Sequence, residues 1–172
     1  FASDQPQGEE AKIGDIRLGG GPVIGRGPAF DVALNKLVDK AAEKAGKPAP
    51  KLIAVTILTS MDDEQFGDLN YKNTIAEQVI ALAKLAKEAG MDGVVASPKE
   101  AAAIREACGE GFLIVTPGVR PAGASLDDQS RVATPAGAFQ NGSSHIVVGR
   151  PITKAEDRKA AAAAIVAEIK GV

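Results

Sequence analysis

Residues 112–153 read FLIVTPGVRPAGASLDDQSRVATPAGAFQNGSSHIVVGRPIT, and the part from Phe112 to Arg150 decides the fold. Two apolar runs, FLIV (112–115) and HIVV (145–148), each stop at a turn containing glycine or proline. Between them lie a polar loop and a short helical pattern, PAGAFQ, opened by Thr134-Pro135 and ended by Asn141-Gly142. Strand, loop, helix, strand is the rhythm of a parallel sheet.

Working outward, the same rhythm recurs. LIAVTIL (52–58) is almost wholly apolar, so it is expected to be the strongest strand, buried on both faces. An amphipathic helix follows from Thr74, with Ile75, Val79, Leu82, Leu85 and Ala86 on one stripe and Gly90 as its stop. MDGVVA (91–96) is the next strand. Ser97-Pro98-Lys99-Glu100 then has the form of a capping box opening a helix that runs to about Ala107. After the 145–148 strand, Thr153-Lys154-Ala155-Glu156 is a second capping box before the alanine-rich terminal helix. FDVALNKLVDKAAEKAG (30–46) is a helix ahead of the first of these strands.

Four strands, starting near 52, 93, 112 and 145, are therefore each followed by a helix. The fold class is α/β, of the (β/α)₈ barrel type, with four to five βα units visible, a half-barrel. A full barrel has eight units in about 250 residues. Four parallel strands cannot close, and an open half leaves two bare edges and one wet apolar face. Residues 1–29 are rich in glycine and proline and read as an arm, or as a remnant of earlier barrel units. They hold one possible short strand, KIGDIRL (12–18), and no complete phosphate-loop motif. Residues 30–172 form the βα-repeat domain.

Composition narrows the function. The 172 residues carry a net charge of -2, which argues against a nucleic-acid surface. A single cysteine, Cys108, and a single histidine, His145, offer no disulfide and no metal cluster. No apolar run approaches the ~20 residues of a membrane helix. A cytoplasmic enzyme or binding protein is expected.

Ligands of parallel α/β sheets sit beyond the carboxyl ends of the strands. That rim receives Thr59 and Ser60, Ser97, the turn from Thr116 through Arg120 to Pro121, and Gly149 with Arg150. Gly149 lets backbone approach an anion, and Arg150 and Arg120 supply fixed positive charge. Gln129 can donate and accept. Together these residues point to a phosphorylated small ligand. His145, at the opposite end of its strand, reads as structural, and Cys108 as packing. Asp62, Asp63 and Glu64 read as a solvated helix start, and Asp127 and Asp128 as turn formers. Tyr71 has no identifiable partner.

The motifs TPG-x-RP (116–121), DQ-x-RV-x-TP (128–135) and VVGRPIT (147–153), in this order, resemble the carboxyl-terminal half of the orotidine 5'-phosphate decarboxylase family. LIAVTILTSMDDEQF and GMDGVVASPKEAAAIRE join the resemblance, which spans about residues 50–170. It implies a (β/α)₈ barrel, usually a homodimer, that converts orotidine 5'-phosphate to uridine 5'-phosphate and CO₂ in pyrimidine biosynthesis. No metal and no organic cofactor are implied. By resemblance, Thr59 and Ser60 lie at the pyrimidine, Gln129 near ring and phosphate, and Gly149 and Arg150 on the phosphate. Arg120 is a further site position, and Pro121 walls the ligand.

The same resemblance implies an acid/base array, Asp-x-Lys-x-x-Asp, whose lysine protonates the carbanion left by CO₂. No such motif occurs in these 172 residues. Asp15-Ile16-Arg17-Leu18-Gly19-Gly20 is the nearest match, with arginine for lysine and glycine for the second aspartate. Equally, Asp15 to Pro22 aligns with the strand and Gly-Gly turn before the Phe30 helix. Either way no catalytic residue is identified, and the chain carries the binding half. The alternative is a non-catalytic, phosphate-binding or self-associating half-barrel scaffold.

Overall fold

The structure is a computed structural model that describes residues 12–13, 16–17, 28–121 and 133–171. The chain divides into two units, Phe1–Pro50 and Lys51–Val172. In the first, β1 (Lys12–Ile13) pairs antiparallel with β2 (Ile16–Arg17), Lys12 opposite Arg17 and Ile13 opposite Ile16. The single short strand expected over KIGDIRL is thus a pair of two-residue strands. Helix α1 (Pro28–Ala45) follows and stops at Gly46, whose φ of +61° suits a residue without Cβ. The division after Pro50, where the sequence pattern put it at 29/30, keeps α1 with the amino-terminal unit.

The second unit repeats strand and helix: β3 (Ile53–Val55), α2 (Asp63–Gly67), α3 (Ile75–Glu88), β4 (Gly93–Val95), α4 (Ala101–Cys108), β5 (Leu113–Thr116), α5 (Pro135–Gln140), β6 (His145–Ile146), α6 (Arg150–Thr153) and α7 (Arg158–Lys170). The strands form one parallel sheet in the order β3-β4-β5-β6. Each helix crossover returns the chain to the same end, as parallel neighbours require. The polar stretch after β3 is more ordered than a plain loop. Asp62 caps α2 by accepting from the Gln65 amide at 2.9 Å, and acidic residues fill its first turn. Tyr71 stacks on the buried Phe66 ring, centroids 5.0 Å apart.

Helix starts are set differently from the pattern at two places. At the α4 entrance the helix begins later than Ser97. There residues 98–100 form a turn, Ser97 Oγ accepts from the Lys99 amide at 3.3 Å, and the buried Glu100 is the N-cap residue, so α4 opens at Ala101. At the last helix Asp157 is the cap, accepting from the Ala160 amide at 2.9 Å, because 150–153 are taken by the separate α6. A complete capping box forms at Thr74 and Glu77 on α3. Thr134 caps α5 as its sequence suggests, accepting from the Gly137 amide at 3.1 Å.

The two sheet faces differ. Ala54, Val94 and Ile114 lie side by side in register and face the helices; Val94 and Ile114 are fully buried against a core that includes Val79 and Ala83 of α3 and Ile104 of α4. This stripe on α3 excludes Leu85, which is 43% exposed. The opposite face carries Val55, Val95 and Val115 in one register row. Here the expectation of a β3 strand buried on both faces fails: regular pairing spans three residues, and Val55 is 62% exposed. Val147, just past β6, is 50% exposed. The reason is topological. β3 and β6 are the edges of the four-stranded sheet, and two-sided burial needs a second layer that no described residue supplies.

Asp92 ties the amino ends of β3 and β4. Its carboxylate accepts from Lys51 Nζ at 2.7 Å and from the Leu52 amide at 2.8 Å. The Lys51 hydrogen bond first, and the Leu52 amide second, hold its pKa below the ordinary value. A carboxyl group depressed in the folded state stabilises above its unfolded pKa of about 3.9, and that stabilisation disappears as pH falls through the folded value. Melting temperatures from pH 7 to pH 3 should therefore fall less steeply in Asp92→Asn than in the parent. Parallel curves would exclude the linkage.

Gly93 is required by close approach. A Cβ there would overlap the carbonyl oxygen and Cβ of Leu113 on the neighbouring strand. Gly93→Ala must push two central strands apart and is expected to cost about 1–3 kcal/mol, as overpacking does. An unchanged urea midpoint would contradict this.

Candidate functional site

Strand direction places the candidate residues at one end of the sheet. Thr59 lies four residues beyond Val55 and is 3% exposed, whereas the adjacent Ser60 is exposed. Ser97 follows β4 and is fully buried. Arg120 and the half-buried Pro121 follow β5, and Gly149 and Arg150 follow β6. Because β5 and β6 are neighbours, Arg120 and the Gly149-Arg150 pair rise from adjacent strands. Thr59 rises from the far edge, three strand spacings away, roughly 14 Å. Gln129, with Asp127 and Asp128, lies outside the described residues, as does Asp15.

The base of the loop after β5 is pinned. Val119 forms a parallel bridge with Ala133, and the Arg120 amide donates to the Ala133 carbonyl at 2.9 Å. This fixes the points where the chain leaves and re-enters the sheet. Below it, the buried Thr116 hydroxyl lies 3.0 Å from Ser143 Oγ and 3.3 Å from the His145 carbonyl, tying β5 to β6.

Arg120 has the most unusual surroundings. Its residue is 6% exposed, one Nη donates to its own neighbour's carbonyl, Val119 O, at 3.0 Å, and Nε has no hydrogen-bond partner among the described residues. A buried guanidinium that, among the described residues, donates to one neutral oxygen is costly unless an anion approaches it. Gly149 is exposed, and a Cβ built there would meet nothing within 4 Å. Arg150 is the first residue of α6 and half-buried.

Glu100 is a buried carboxylate at this same end of the sheet, and sequence reasoning passed over it. Its place in the Ser-Pro-Lys-Glu pattern suggested backbone capping, and nothing in that pattern signals burial. The other single residues lie elsewhere. His145 begins β6 at the amino end and is exposed. Cys108 ends α4, buried; its burial pushes the thiol pKa up, partly offset by Lys87, Lys84 and Arg105. It lines an open groove of about 290 Å³ with Lys87, Asp92, Glu110 and Phe112, at the amino end of the strands and away from the rim. Among the described residues no three His, Cys, Asp or Glu side chains gather as a metal site, and no helix is long and apolar enough to cross a membrane.

Comparison with known proteins agrees with this architecture. Residues 32–165 match the family model described as Orotidine 5'-phosphate decarboxylase / HUMPS family. An orotidine 5'-phosphate decarboxylase from Moorella thermoacetica is 54% identical over 147 residues, covering 85% of this chain and 58% of that protein. One from Geobacter metallireducens is 55% identical over 127 residues, covering 74% and 53%. Among solved structures, orotidine 5'-phosphate decarboxylase from Lactobacillus acidophilus superposes with a TM-score of 0.60 at 42% identity, covering 83% of this chain and 68% of that one. An uncharacterized conserved protein from Geobacillus kaustophilus gives 0.67 at 37% identity, covering 83% and 59%. The chain thus spans little more than half the length of these curated relatives. The match over most of its residues, together with the parallel sheet and its helices, establishes that the chain belongs to the orotidine 5'-phosphate decarboxylase / HUMPS family.

Proposed function

We propose that this chain binds orotidine 5'-phosphate, or its product uridine 5'-phosphate, at the carboxyl rim of its sheet and forms the substrate-holding half of an orotidine 5'-phosphate decarboxylase. The observation that carries the reading is Arg120, a buried guanidinium whose Nε has no partner among the described residues, in the segment after β5, the neighbour of the strand β6 that leads to Gly149 and Arg150. An anion bound there offsets the cost of the buried charge. In this reading Gly149 and Arg150 hold the phosphate, Gln129 bridges phosphate and ring, Thr59 and Ser60 meet the pyrimidine, and Pro121 walls it.

Decarboxylation breaks the bond between the pyrimidine ring and its carboxylate, leaves the electron pair on the ring carbon and requires a proton there. Phosphate contacts far from that carbon supply binding energy and orientation. They supply no proton. In these 172 residues the Asp-x-Lys-x-x-Asp motif is absent, so the chain by itself is expected to bind without rapid turnover. We place it in the cytoplasm, as the pyrimidine pathway of its relatives suggests, and as a homodimer or paired with a complementing barrel half. A non-catalytic scaffold is the second reading, favoured by the two sheet edges left unpaired among the described residues.

The test is decarboxylation of orotidine 5'-phosphate by the purified chain, with calorimetric titration of uridine 5'-phosphate and ribose 5-phosphate and sedimentation of the same sample. Nucleotide binding well above that of the sugar phosphate, without fast turnover, is expected. Fast turnover would overturn the binding-half assignment, and equal affinity for both ligands would overturn the pyrimidine site. A folded monomer at micromolar concentration would overturn the association.

A further inference from the structure

We draw no further inference here: the strongest candidate, the open apolar face of the sheet carrying Val55, Val95 and Val115 between the edges β3 and β6, carries nothing because no described residue shows what covers it.

Discussion

Arg105→Ala is expected to lower the melting temperature by roughly 6–12 °C, taking about 3 kcal/mol lost and the usual 2–4 °C per kcal/mol for a chain of this size. The side chain is 17% exposed and sits where two turns meet. Nη1 lies 2.8 Å from the carbonyls of Gly109, Glu110 and Phe112, so three acceptors share two protons. Nη2 donates to the Gly142 carbonyl at 3.0 Å and to Ser144 Oγ at 2.9 Å. Ser144 Oγ in turn accepts from the Ile114 amide at 3.1 Å. One guanidinium therefore joins the turn before β5 to the turn before β6. Alanine removes every donor at once and leaves part-buried carbonyls to water. Lysine keeps the charge but lacks the planar fork, and should recover less than half of the loss. A melting temperature within about 2 °C of the parent would show that the carbonyls rehydrate at little cost. Because these turns are at the amino ends of the strands, nucleotide affinity measured on the folded fraction should not change.

Arg105 also shows where sequence reading stops. In the sequence it is a basic residue in the last turn of a helix, a favourable but ordinary placement beside the helix dipole. Four of its five acceptors are backbone carbonyls, four to 37 residues away, and backbone carbonyls leave no mark in a sequence. The strands were legible because their apolar runs are short and end at turn residues. The four expected starts fall within one residue of the observed ones. The exposure of β3 was not legible, because LIAVTIL records the burial its second face is suited to, not what covers it. The Thr153 capping box misled for a related reason: the pattern is local, and Arg150–Thr153 was already committed to α6, which moved the cap to Asp157. For the site, strand order and chain direction sufficed to bring Arg120, Gly149 and Arg150 to one end. The burial of Arg120 and Glu100 could be learned only from the fold.

Arg150→Ala is expected to weaken uridine 5'-phosphate binding by roughly 10- to 150-fold, the equivalent of about 1.5–3 kcal/mol for a charge-assisted contact. Arg150 opens α6 directly after Gly149, three residues beyond the end of β6, so its backbone position is set by the sheet. Only the side chain is lost in the variant. Lysine there keeps a point charge but not the fork that meets two phosphate oxygens at once, and should restore part of the affinity. The phosphate assignment makes a second demand. Removing Arg150 should lower affinity for ribose 5-phosphate by about the same factor as for the nucleotide, since both share the phosphate. A loss confined to the nucleotide would move Arg150 from the phosphate to the ring. No loss for either ligand, with the variant melting like the parent, would remove it from the site and leave Arg120 as the only described arginine at the rim.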